Sequence, residues 1–128
     1  MSQLNTLDQC YKVTDALLGE LQQNDYSEAA VFAVRLAVEE ALNNAVRHGN
    51  AMDPCKTVEF TYEVTRECVD IKVRDEGPGF DYRHVPDPTL SENLDKPTGR
   101  GVMLMRAYMD TVEYNEKGNE LHMIKLNK

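Results

Sequence analysis

The chain has 128 residues, enough for one domain with its own core and without disulfide or metal staples. Apolar residues make up 41% and charged residues 28%, a balance that excludes a disordered or low-complexity chain. The net charge of −8 sets the surface against phosphate backbones and disfavours direct nucleic-acid binding, while one local patch of amides and cations could still hold a nucleotide.

From Thr6 to about Gln23, Leu7, Cys10, Tyr11, Thr14, Leu17, Leu18 and Leu21 keep helical spacing, with Thr6 and Gln9 as a capping-box pair. Asn24 and Asp25 break that pattern. A second helix is predicted from Ser27 to Arg47, closed by Gly49 and Asn50. Val34, Val38, Ala41, Leu42 and Ala45 form its main apolar face, and Leu36 on the opposite side predicts cover from more than one direction. Val58, Phe60, Tyr62 and Val64 then alternate with polar residues, as do Val69, Ile71 and Val73. The short polar stretch Thr65-Arg66-Glu67 between these two strands predicts an antiparallel hairpin.

The stretch from Gly77 to Gly99 reads as a loop carrying Pro78, Pro86, Pro88 and Pro97, and so long a loop inside a compact domain is usually functional. Gly101 to Asp110 predicts a buried helix rich in Met, Leu and Val. Thr111 to Tyr114 and Leu121 to Leu126 predict two last strands, joined by a turn over Asn115 to Asn119. Helices followed by antiparallel strands, with one helix inserted, predict a two-layer α/β (α+β) sandwich and a single domain over the whole chain.

Cys10, Cys55 and Cys68 are odd in number and lack C-x-x-C spacing, which argues for reduced thiols over a disulfide framework or zinc site. No apolar run is long enough to span a bilayer and the N-terminus has no signal-type apolar region. A cytoplasmic protein with no membrane partner is expected.

Three clusters carry candidate chemistry. Glu40, Asn44 and His48 fall four residues apart on the second helix, and a carboxylate one turn from a carboxamide can hold a hydrated Mg²⁺ or position a water or hydroxyl. The helical wheel does not choose between Glu40/Asn44 and the adjacent pair Glu39/Asn43. The default reading of His48 is a helix-end histidine favoured by the dipole. Asp75-Glu76-Gly77-Pro78-Gly79-Phe80 directly follows a strand; its glycines allow close backbone approach, and Asp75 could accept a hydrogen bond from an exocyclic amine such as adenine N6. Lys96-Pro97-Thr98-Gly99-Arg100-Gly101 opens a helix, where free amides and two cations attract phosphate. The spacing fits neither a Walker P-loop nor a Rossmann fingerprint.

The order of these parts resembles the GHKL ATPase superfamily of gyrase, heat-shock chaperone, histidine kinase and MutL. E-A-L-N-N-A-V-R-H-G from Glu40 looks like its N box, D-E-G-P-G-F from Asp75 like its G1 box, and G-R-G from Gly99 like its G2 box. Within that superfamily the chain is most similar to the anti-sigma-factor serine/threonine kinases of bacterial partner switching, over roughly Ser27 to Lys125.

The resemblance implies a Bergerat-type ATP-binding fold, a mixed or antiparallel sheet with helices on one face, and an ATP lid over about residues 80–99. It implies ATP and Mg²⁺ as cofactors, with Glu40 as general base and Asn44 as metal ligand. Asp75 would bind the adenine amine, Gly77, Gly79, Gly99 and Gly101 would let backbone approach the nucleotide, and Arg100 and Lys96 would face the phosphates. The implied partners are a protein antagonist, a sigma factor and a second copy in a homodimer. A non-catalytic ATP-binding module and a stand-alone histidine-kinase-type ATPase domain are the alternative functions. The chain departs from the family pattern in three places: few residues precede the first helix, Pro97 stands where some members carry a phosphate-binding arginine, and Gly118-Asn119-Glu120 stands where a threonine often supports the adenine water network.

Overall fold

A computed structural model describes residues 2–4, 7–49, 56–77, 105–116 and 118–127. In chain order these form β1 (Ser2–Leu4), α1 (Leu7–Gln23), α2 (Glu28–Asn43), a π-helical turn (Asn44–Gly49), β2 (Val58–Val64), β3 (Cys68–Arg74), β4 (Thr111–Tyr114) and β5 (Glu120–Leu126). Residues 105–108 are helical and lead into β4. The Thr6 cap and the long loop beyond Gly77 lie outside the described residues.

The strands form one antiparallel sheet in the order β1-β2-β3-β5-β4. Although few residues precede the first helix, they form a strand of three residues, pairing Ser2 with Phe60 and Leu4 with Val58. The hairpin over Thr65-Arg66-Glu67 forms as predicted, because Thr65 Oγ1 accepts from the Glu67 and Cys68 N–H groups. The last hairpin joins β4 to β5, and β5 inserts beside β3.

Alternation gives the sheet two chemically distinct faces. Val58, Phe60, Val69, Ile71, Val73, Leu121 and Met123 are buried on one face. Leu17, Leu21, Val34, Val38 and Leu42 of the two helices are buried in the same core. Each such side chain contributes roughly 1.5–3 kcal/mol by leaving water. The opposite face presents Thr61, Glu63, Lys72 and Arg74 as exposed side chains, with His122 Nε2 and Asp70 Oδ1 paired at 2.8 Å. The fold is therefore α+β, with helices on one face of an open sheet. No helix among the described residues is long and apolar enough to cross a membrane. Cys10 is buried between the layers, and that burial pushes its thiol up to about 11, which leaves it unreactive.

The helix ends follow from single residues. Ser27 caps α2, its Oγ accepting from the Ala30 N–H at 3.1 Å. At the end of α1, Tyr26 N–H donates to Leu21 O and Asp25 N–H to Gln22 O, the bond pair of a Schellman motif. Asp25 takes the left-handed position with φ 64, where glycine is the usual occupant and an acid opposes the dipole. Asp25→Gly is expected to raise stability by about 1 kcal/mol in urea denaturation; an unchanged or lowered midpoint would show that Asp25 is not strained there.

Candidate functional site

Helix α2 carries Glu40 in its last turn, and Asn44 is its C-cap, with φ −62 and ψ −43. The Asn44 N–H donates to both Ala41 O and Glu40 O, so Glu40 and Asn44 keep the one-turn spacing read from the sequence. Beyond Asn44 the predicted α-helix gives way to a π turn through Gly49. The wider turn changes the angular step, so an α-helical wheel no longer places the side chains of residues 45–49. Ala45 and Val46 are nevertheless both buried. The side chain of His48 lies outside the described residues.

The competing pair faces elsewhere. Glu39 lies 3.6 Å from Arg35 in a surface ion pair, and with Asn43 it borders a small recess against Cys10, Tyr11 and Thr14 of α1. Glu39 and Asn43 thus border α1, whereas the Glu40 carboxylate acts on Tyr114 of β4.

Asp75 continues the alternation of Val69, Ile71 and Val73, which directs it to the helix side. Its backbone is held by Asn119, whose carbonyl accepts from the Asp75 N–H at 2.9 Å. Asp75 Oδ1 accepts from the Gly77 N–H at 2.8 Å, folding the chain back at the strand's end. Thr57 N–H donates to Glu76 Oε2 beside it. A polar cleft of about 370 Å³ opens between the ends of β2 and β3, walled by Asp75 and Asn119 and, from the face away from the helices, by Glu59 and Arg74; Glu40 and Tyr114 are not in its wall.

Tyr114, the last residue of β4, joins these parts. It lies on the cross-sheet row Phe60–Val73–Leu121–Tyr114. Burial raises its phenol well above the usual tyrosine value, the Arg106 guanidinium opposes the rise, and the Asp75 and Glu40 carboxylates add to it. One hydroxyl thus lies in the field of α2, of the end of β3 and of the helical residues 105–108. The Asp75 and Glu40 carboxylates, one at a strand end and one on a helix, thus both act on the Tyr114 phenol.

Of the predicted site residues, the structure describes Glu40, Asn44, Asp75 and Gly77, and it brings Glu40 and Asp75 into range of one tyrosine. Gly79, Lys96, Gly99, Arg100 and Gly101 lie outside the described residues, as does the lid over about 80–99. Sequence reasoning singles out neither Tyr114 nor Arg106, and it brings Gly118-Asn119-Glu120 near the adenine only through the resemblance, without the Asn119–Asp75 bond. The only signal was indirect: alternation in β4 places Tyr114 on the helix-facing side.

The family described as histidine kinase-like ATPase domain matches residues 4–125. The chain belongs to this family. The ATPase domain is 31% identical over 115 residues to the serine/threonine-protein kinase BtrW of Bordetella bronchiseptica, covering 86% of this chain and 81% of that one. It is 31% identical over 99 residues to the serine-protein kinase RsbW of Staphylococcus epidermidis, covering 71% of this chain and 62% of that one. It is also 30% identical over 99 residues to an anti-sigma F factor of Clostridium perfringens, covering 74% and 70% respectively.

Membership of an ATPase family carries ATP use, and the described residues fit it at the base end: a fixed acceptor beside Gly77 suits an exocyclic amine. Among the described residues no group of three or more His, Cys, Asp and Glu side chains could hold a metal ion.

The Tyr114 phenol also makes a pH prediction. A folded-state value raised above 10.0 means that the unfolded chain loses this proton first as pH rises. The stability it contributes is full below pH 10 and falls above it. Between pH 10 and 12, Tyr114→Phe is expected to lose stability less steeply than wild type in denaturant titrations. Equal slopes would show that Tyr114 is not buried as described.

Proposed function

We propose that this chain is an ATP-dependent serine/threonine protein kinase of anti-sigma-factor type, acting in the cytoplasm on a protein antagonist and holding a sigma factor. The reading is supported by the effect of both the Glu40 and the Asp75 carboxylates on Tyr114, and by relatives named as serine or serine/threonine kinases. Asp75 accepts the adenine amine, and Gly77, Gly79, Gly99 and Gly101 let backbone approach the nucleotide. Asn44 contributes to Mg²⁺ binding, while Lys96 and Arg100 balance phosphate charge. When bound, ATP supplies the phosphoryl group. Glu40 accepts the proton of the attacking hydroxyl, and the rest of the site positions and neutralises, as phosphoryl transfer mostly requires. The proposal includes a homodimer, which sedimentation would report.

A second reading has one observation in its favour: a relative is named for opposing a sigma factor, with no mention of catalysis. In that case ATP would only organise a binding surface.

Labelled ATP and a candidate antagonist separate the two. Wild type is expected to transfer phosphate to a serine or threonine. Glu40→Gln should keep ATP binding and lose transfer by roughly 10²–10⁴-fold, the usual contribution of a general base. Glu39→Gln is the control, about 100° away around the helix and paired with Arg35. Equal transfer by wild type and Glu40→Gln would remove Glu40 from catalysis. ATP binding without transfer by wild type would favour the binding module.

A further inference from the structure

Away from the candidate site, the helical layer leaves an aromatic ring in water. Phe32 of α2 is 54% exposed, the most exposed large hydrophobic side chain among the described residues. It belongs to a row of Glu28, Val31, Phe32 and Arg35, spaced i, i+3, i+4 and i+7 along one side of α2. Gln22 and Tyr26, at the end of α1 and in the turn after it, complete the wall of a groove of about 210 Å³ beside this row.

Both sides of the groove are held in place. The Tyr26 hydroxyl donates to Thr65 O at 2.8 Å, which pins its ring to the β2–β3 hairpin. The Phe32 ring meets Tyr108 edge to face, with centroids 6.4 Å apart and planes at 88°. That geometry favours one orientation of an exposed ring, so a ligand meeting Phe32 loses little side-chain freedom there.

The rim of the groove is acidic. Arg35 lies 3.6 Å from Glu39 and Arg66 lies 3.9 Å from Asp25, so each guanidinium already has a carboxylate beside it. Glu28, in the groove wall, leaves the rim one charge negative, within a chain of net charge −8. A second copy of this chain would bring the same sign to the same place, which opposes self-association here. A cationic partner is favoured. The shape of the groove sets its form, because a row at i, i+3, i+4 and i+7 beside a neighbouring helix end accepts a further helix packed ridge into groove.

We propose that this groove is a docking surface for a basic amphipathic helix of a protein partner. The helix seats apolar residues against Val31 and Phe32 and sets a lysine or arginine beside Glu28. The surface is separate from the nucleotide site: Glu40 lies about three turns further along α2, roughly 18 Å from Glu28, and is not in the groove wall. Docking there requires no phosphoryl transfer by Glu40.

The test is a nuclear magnetic resonance titration of the full chain with two synthetic helical peptides. Both carry leucine at i, i+3, i+4 and i+7; the flanking residues are lysine in one and glutamate in the other. The lysine peptide is expected to bind about tenfold more tightly at low salt, and the gap should close as salt is added. It should shift the Tyr26, Val31 and Phe32 amides and leave Thr61 and Lys72 unchanged. Phe32→Ser truncates an exposed ring outside the core and should weaken the lysine peptide by about tenfold or more. Glu28→Gln should narrow the gap between the two peptides. Both variants should bind ADP as wild type does, which separates a lost docking surface from a lost fold. No binding of either peptide, equal affinity for the two, shifts that miss the groove, or wild-type behaviour in both variants would overturn the proposal. Phosphatidylserine vesicles that shift the same amides in preference to the lysine peptide would assign the groove to a membrane and overturn it as well.

Discussion

Paired from Cys68–Leu126 to Arg74–Glu120, β3 and β5 hold a register on which the positions of the candidate site residues depend. β5 in turn pairs Leu121 with Tyr114 of β4, so Tyr114 sits two strands from Val73, roughly 10 Å across the sheet at ordinary strand spacing. That distance leaves Asp75, two residues beyond Val73, within the electrostatic reach of the Tyr114 hydroxyl. A slip of one residue would turn Leu121 and Met123 outward and put Glu120 and His122 into the core. The hydrophobic alternation that secures the core therefore also secures the direction of Asp75.

The second requirement is a helix that brings an acid to the same face of the sheet. Ala37, Val38 and Ala41 of α2 are all buried, and small residues there let the helix lie close to the strands. Glu40, beside this buried stripe, lies near enough for its carboxylate to act on Tyr114 of β4. The cost is electrostatic. Two carboxylates and a neutral phenol are not a natural home for an anionic ligand in a chain of net charge −8. The proposal accommodates this by giving Asp75 the uncharged base and assigning the phosphates to Mg²⁺, Lys96 and Arg100.

Much of this was legible in the residues. Period-two alternation in Val58–Val64 and Cys68–Arg74 gave the hairpin, and the stripe through Val34, Val38, Ala41 and Leu42 gave the buried face of α2. The order of the N, G1 and G2 boxes gave the family. Three features were not legible. The wheel could not separate Glu39 from Glu40, because only the packing of α1 on one side and of the sheet on the other distinguishes them. The π turn after Asn44 replaced the expected α-helical end without a proline or an early glycine to signal it. The bond between Asn119 and Asp75 was hidden, since it spans 44 positions and depends on the strand register.

The central claim is that Glu40 and Asp75 belong to one nucleotide site on the helix-facing side of the sheet. A nuclear magnetic resonance titration of the full chain with Mg-ADP tests it most directly. The account predicts that the Glu40, Asn44 and Asp75 amides and the Tyr114 ring shift together, following a single dissociation constant. Thr61, Lys72 and His122, on the opposite face, should stay unchanged. Shifts confined to that opposite face, or separate dissociation constants for Glu40 and Asp75, would contradict it.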